Sequence, residues 1–205
     1  MSDASSGAVR KRGRPTAAER EERRDHILDT AVALFVSNGY GQVTVDEIAR
    51  ASRVTKRTIY TYFGDKAEVF TAAVERFRSR ALTDLESGTE PLEEVVTQLV
   101  YLLHSDDAVG LHRLMIGESV QFPELAARFY DSGPHGYIEL LAELLRSRRQ
   151  DDGLAEALFG LLLGEAHRRR LLGMAPAPTH AAAREHAQRT LALLGVVGGG
   201  ERPAT

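Results

Sequence analysis

Cysteine is absent from the 205 residues. That excludes disulfides, thiolate metal sites and cysteine nucleophiles together, and it fits a reducing compartment. Long apolar runs are also missing. None reaches the roughly 18 residues a membrane span requires. The first 26 residues are charged and hold no apolar stretch of the kind that directs secretion. The expectation is a cytoplasmic protein with no membrane partner. Catalytic motifs are equally scarce: HExxH, GxSxG, the P-loop and the dinucleotide fingerprint do not occur. Of the seven histidines, no two stand three or four apart, the spacing that sets two ligands on one helical face. No catalytic residue, metal or cofactor is expected, and the chain reads as a non-enzyme.

What is present is unevenly spread charge. The net of −3 taken whole argues against a nucleic-acid partner. Met1 to Phe70, however, holds 12 Lys/Arg against 10 Asp/Glu, while the remainder holds 14 against 19. Arg10 to Arg24 holds seven basic and three acidic residues, and Arg50 to Lys66 five basic and one acidic. Phosphates respond to local patches rather than totals.

Residues 1–16 are small, polar and basic and read as a disordered arm. A helical face follows, with Ile27, Leu28, Ala31, Leu34 and Phe35 in phase, and ends at the C-cap signal Asn38-Gly39. Thr44-Val-Asp-Glu47 is a capping box opening a short helix to Ala51. Ser52-Arg53-Val54 turns the chain, Thr55 N-caps a second short helix to about Tyr62, and Gly64 stops it. Asp65-Lys-Ala-Glu68 opens a longer helix, by the same reciprocal capping, to about Glu86. Further helices are expected over about 91–104, 108–121, 123–131, 134–149, 153–173 and 180–195, with prolines between them or at their starts. The tail, 196–205, is glycine-rich and expected to be disordered. The pattern is all-α: a three-helix head at 17–64, joined by one long helix to a larger helical body at 65–195.

Two short helices joined by a tight turn can set the second in a DNA groove. Val45, Ile48, Ala49, Val54, Ile59 and Phe63 form their shared core. Thr55, Lys56, Arg57, Thr58 and Thr61 then face outward, flanked by Tyr60 and Tyr62, whose hydroxyls can reach a phosphate backbone. No acidic residue falls between Thr55 and Gly64.

The stretch 31–77 resembles the N-terminal domain of the TetR family of regulators. The matching residues are Phe35, Gly39-Tyr40, Thr44-Val45, Ile48-Ala49, Val54-Thr55-Lys56, Thr58-Ile59-Tyr60, Tyr62-Phe63 and Lys66. The resemblance implies phosphate contacts from Thr44, Tyr60, Tyr62 and Lys66, and base-edge contacts from Lys56, Arg57 and Thr58. Two positions depart from the family pattern. Arg53 stands in the turn where glycine is usual, and it either alters the turn or adds a phosphate contact. Arg57 also replaces a common glycine, which puts a guanine reader at the centre of the surface. The arm Lys11-Arg12-Gly13-Arg14-Pro15 has the core of minor-groove hooks, with Arg12 and Arg14 as its readers; a nonspecific basic tail accounts for it equally.

The segment 110–134, with Phe122-Pro-Glu-Leu125, Phe129-Tyr130 and Gly133-Pro134, is similar to the C-terminal domain of AefR-like members of that family. The resemblance implies a transcriptional regulator, usually a repressor, that senses an unidentified small-molecule effector. It also implies a homodimer through the last two helices, bound to a palindromic double-stranded operator. Gly160 and Gly164 would permit close helix approach at that seam, and Leu161 lies on its apolar stripe. Candidate effector contacts are Phe77, Tyr101, His104, His112, Met115, Phe122, Phe129 and Tyr137, together with Glu118, for which Arg113 and Arg128 are the alternative partners. The helix opening at Asp65 is the expected lever between pocket and reader. The competing reading is a helical adaptor or small-molecule-binding protein that does not touch DNA.

Overall fold

The structure, a computed structural model, describes residues 16–83 and 90–196. Arg12, Arg14, the rest of the basic arm and the tail beyond Val196 lie outside the described residues. So does the expected end of the long helix at Glu86. All regular elements among the described residues are helical. The head is α1 (Ala17–Asn38), α2 (Val45–Ala51) and α3 (Lys56–Tyr62), and α4 (Lys66–Thr83) leads out of it. The body is α5 (Leu92–Leu103), α6 (Asp106–Glu118), α7 (Pro123–Tyr130), α8 (Gly136–Ser147), α9 (Ala155–Leu171) and α10 (His180–Leu193).

The expected caps set the head's boundaries. Thr44 Oγ1 accepts from Glu47 N at 3.2 Å, and the Glu47 carboxylate accepts from Thr44 N at 2.8 Å. Thr55 Oγ1 accepts from Thr58 N at 3.1 Å and starts α3. At α4 only half of the expected reciprocity forms. Asp65 accepts from Glu68 N at 2.9 Å, while the Glu68 carboxylate turns to Arg128 instead, at 2.6 Å. Gly39 ends α1 with φ +85°, and its N–H caps the Phe35 carbonyl. A Cβ there would also stand 3.0 Å from a Glu118 carboxylate oxygen, so side-chain room as well as backbone freedom selects glycine.

Between α2 and α3 the chain closes a Schellman turn. Val54 N bonds the Ala49 carbonyl and Arg53 N the Arg50 carbonyl, which places Arg53 in the left-handed region at φ +56°. Arginine thus takes the conformation that glycine holds more cheaply. The same turn recurs after α8 with Arg149, also at φ +56°.

Two apolar clusters hold the molecule. One joins Ile27, Leu28, Phe35, Ile48, Ile59 and Phe70 of the head and α4, and it draws Leu111 and Met115 from α6 and Leu125 from α7. Head and body therefore share a core. Gly110 allows the contact, since a Cβ there would meet Val36 at 2.9 Å. The second cluster joins α5, α8, α9 and α10 through Leu99, Leu141, Leu145, Leu158, Leu162 and Ala187. It extends to Val196, which is buried although the sequence assigned it to the tail.

The body departs from the expected segments twice. The helices expected at 123–131 and 134–149 are continuous, because a π-helical turn, Asp131–His135, bridges α7 and α8. Pro134 lies inside this turn, and the wider register accommodates a residue with no N–H to donate. α9 is interrupted at Gly164, with φ +50° and ψ −152°. In the turn before the break the carbonyls of Leu161 and Leu162 accept from His186 Nε2 at 3.0 Å and His104 Nε2 at 2.9 Å. A carbonyl can only accept, so both rings carry their proton on Nε2.

Histidines widely separated in sequence thus meet in the body. His112 Nδ1 lies 2.9 Å from His167 Nε2, and the His104 and His167 rings meet edge to face at 5.2 Å. Burial lowers the pKa of all three, and for His167, with His112, His104 and Arg170 adding to the effect, it falls to about 4. Arg170, itself buried, bonds the His104 and Ala175 carbonyls and Asp106.

Two predictions follow from these features. A folded pKa depressed from 6.5 to about 4 means that the unfolded chain takes up a proton that folded His167 refuses. The stability this represents is complete above pH 6.5 and is lost as pH falls, by about 2 kcal/mol at pH 5. Thermal unfolding should show that decline between pH 7 and 5, and His167→Asn should flatten it; a melting temperature constant over this range would contradict the buried neutral pair. Arg53→Gly should raise stability by up to about 1 kcal/mol by relieving the left-handed strain. Denaturant unfolding checks this, and a loss of stability would mean that the arginine side chain holds the turn.

Candidate functional site

The outer surface of α3 follows from its caps and its single buried residue. Ile59 is fully buried against the head core, so the helix can rotate in only one way and turns Lys56, Arg57, Tyr60 and Thr61 to solvent. Thr55 is exposed at its N-cap, and Thr58 is half-buried with its hydroxyl 2.8 Å from that of Thr55. Thr61 donates to the Arg57 carbonyl at 2.8 Å. Lys56 Nζ reaches Asp46 on α2 at 2.8 Å, and this hydrogen bond and charge raise its pKa. Arg57 is exposed and, among the described residues, has no ion-pair partner. Arg53 is exposed in the turn, Thr44 at the N-cap of α2, and Tyr60 beside the α3 cations; Tyr62 is half-buried, its ring 6.0 Å from that of Phe63. Thr44, Arg53, Thr55, Lys56, Arg57, Thr58, Tyr60, Thr61 and Tyr62 therefore share the α2–α3 end of the molecule.

Lys66 does not present a free cation at that end. Its Nζ donates to the carbonyls of Tyr40 at 2.8 Å and Val43 at 2.9 Å and sits 4.2 Å from the centre of the Tyr40 ring. Burial lowers its pKa. The side chain expected at a phosphate turns inward in this structure, where it serves two carbonyls of the loop between α1 and α2 and ties that loop to α4.

The body contains an apolar cavity with about 520 Å3 of free space, its open mouth included. Val74 and Phe77 of α4, Leu103 of α5, Ala108, Leu111 and His112 of α6 and Phe129 of α7 line it. Gly133 and Pro134 of the π-helical turn, Tyr137 of α8, and Phe159, Leu163 and His167 of α9 complete the wall. Of the expected effector contacts, Phe77, His112, Phe129 and Tyr137 are brought together here.

The other five lie elsewhere, each for a physical reason. Tyr101 is exposed, its ring 5.7 Å from His180. His104 is buried on the Leu162 carbonyl. Met115 packs into the head core. Phe122 lies edge-on to Tyr40 at 5.1 Å. Glu118 meets neither Arg113, which bonds the Arg170 and Leu171 carbonyls, nor Arg128; its carboxylate faces Gly41 N at 3.5 Å. Sequence reasoning missed His167 and Phe159. Both sit with Leu163 on one face of α9, at the i, i+4, i+8 spacing of a helical stripe, and that spacing was the signal that could have found them.

The comparisons with known proteins bear on the family and the fold. Residues 27–73 match the family described as bacterial regulatory proteins, tetR family, and residues 90–194 the AefR-like transcriptional repressor, C-terminal domain. The transcriptional regulator SrpR of Pseudomonas putida is 29% identical over 136 residues, 65% of this chain and 64% of that protein. A TetR-family regulator structure from Mesorhizobium loti superposes with a TM-score of 0.65 at 26% identity, covering 90% of this chain and 100% of the other. The structure of the flavonoid-responsive regulator FrrA does so with a TM-score of 0.59 at 26% identity, covering 88% and 100%. With both of its halves matched, the chain belongs to the TetR family of bacterial DNA-binding transcriptional regulators and carries an AefR-like C-terminal domain.

Proposed function

We propose that this regulator is a ligand-responsive repressor that binds a two-fold symmetric operator as a homodimer and releases it when the body cavity fills. The observation that carries this reading is the course of α6. The first half of the helix lines the cavity with Ala108, Leu111 and His112, and its C-terminal end places Glu118 against Gly41 in the loop that leads into α2. α4 also spans the two, with Phe77 at the cavity and Phe70 in the head core. The lever inferred from the sequence is thus joined by a second. A ligand shifts the balance only if it binds one head spacing better than the other, and both helices give it that purchase. FrrA, named as flavonoid-responsive, is a structural relative consistent with small-molecule control.

Arg57, Lys56 and Thr58 are assigned to base edges, and Thr44, Arg53, Thr55, Tyr60, Thr61 and Tyr62 to the backbone. Arg57 leads because it is exposed in the first turn of α3 and free of an ion pair among the described residues. One α3 reads about half a site, so two copies are required. The seam is assigned to α9 and α10. Leu158 and Leu162 are buried inside the protomer, whereas Ala157, Gly160 and Leu161 are exposed, and a Cβ at Gly160 would meet nothing within 4 Å. That small, open face is suited to a second helix.

Arg57→Ala should weaken operator binding by roughly 1–3 kcal/mol per half-site and relax preference at one base pair. Lys66→Met should instead lower folding stability by about 1–3 kcal/mol and leave the salt dependence of DNA binding unchanged. Operator and scrambled-DNA affinities over a salt series, with melting curves, separate the two. A salt slope reduced by about one per half-site in Lys66→Met would return that lysine to the phosphates. Leu161→Glu should sediment as a monomer and lose operator affinity; a dimer that still binds normally would move the seam off α9.

A further inference from the structure

The cavity wall is largely hydrocarbon; besides Tyr137, its polar side chains are His112 and His167, which contact each other. Among the described residues no lysine, arginine, aspartate or glutamate lines it. One proton lies between His112 Nδ1 and His167 Nε2, so the two neutral rings must share one tautomer, both Nδ1–H or both Nε2–H. If His112 donates, its Nε2 is bare and His167 Nδ1 carries a proton; if His167 donates, the two outer nitrogens exchange roles. The pair therefore always shows a donor at one end and an acceptor at the other. His167 is buried, yet its Nδ1 has no hydrogen-bond partner, which is costly inside a protein.

We propose that the cavity takes a neutral, single-ring aromatic molecule bearing one hydroxyl, a simple phenol, whose oxygen bonds the His112–His167 pair. This rests on reading the cavity as the effector site. Phe77, Phe129 and the near-parallel pair Tyr137 and Phe159, 6.1 Å apart with a 13° interplanar angle, supply faces and edges for a flat ring. A hydroxyl both donates and accepts, so it satisfies either tautomer of the pair. A carboxylate would enter a wall with no cation to offset its desolvation. Burial also holds both histidines neutral at physiological pH, so they do not supply that charge. The space within which the centres of bound atoms can lie is only about 60 Å3, which favours one ring.

The test uses the full-length protein without DNA and three probes of one shape: p-cresol, p-xylene and p-toluate, titrated by calorimetry at pH 7.5. p-Cresol should bind at least tenfold more tightly than either of the others. His112→Phe and His167→Phe, checked by melting curves, should bring p-cresol down to the level of p-xylene. The comparison of probes on the unaltered protein stands even if a variant fails to fold. Equal binding of p-xylene or p-toluate, or binding of none of the three, overturns the proposal. Operator affinity is measured separately with and without p-cresol. Selective binding that leaves operator affinity unchanged would support the ligand class while removing the effector reading.

Discussion

The Tyr40 ring, in the loop between α1 and α2, lies 5.4 Å from Phe35, 5.8 Å from Phe70 and 5.1 Å from Phe122, with the Lys66 ammonium over its face. These rings come from α1, α4 and the approach to α7, so a single buried side chain ties the reading head to the body. Aromatic pairs of this geometry each add about 0.5–1.5 kcal/mol beyond the area they bury. The same loop has its carbonyls held by Lys66 and its Gly41 N–H turned to Glu118. The loop carries α2, α2 carries α3 through the Schellman turn at Arg53, and the direction in which α3 points is fixed from there.

Because packed cores are bistable rather than continuously deformable, a displacement of α6 at its cavity end is not absorbed along the way. Gly110 brings α6 against α1 at Val36, and Met115 sits inside the head core. His112 and Glu118 are thus joined by a helix packed against the head between them. α4 likewise reaches from cavity to head, and both helices contact the loop between α1 and α2, through Lys66 and Glu118.

The polar interior of the body follows a different logic. Gly164 interrupts α9, and His104 and His186 serve the carbonyls beside the break. Arg113 bonds the Arg170 and Leu171 carbonyls at the C-terminal end of α9, where the helix dipole favours cations. Arg170 bonds the His104 carbonyl at the end of α5 and that of Ala175. With those groups satisfied, the His112–His167 contact is left facing the hydrocarbon cavity, and this makes it the polar reference point for anything bound there.

Local rules placed most of the helices and the reading surface. Capping at Thr44 and Thr55, the glycine stop at Gly39 and the phase of Ile48 and Ile59 act over three or four residues, and all of them could be read in the chain. The outward set on α3 follows from the same phase. Contacts over long sequence separations were decided by the fold alone. Lys66 looked like a surface cation but met carbonyls 23 and 26 residues away. His112 and His167, 55 apart, became neighbours only when α6 crossed α9 beyond the Gly164 break. Glu118 passed over two plausible arginines for a backbone N–H 77 residues upstream. Periodicity tells which face of a helix is buried, whereas the identity of the facing helix, and hence the partner of each buried polar group, is fixed only by tertiary packing.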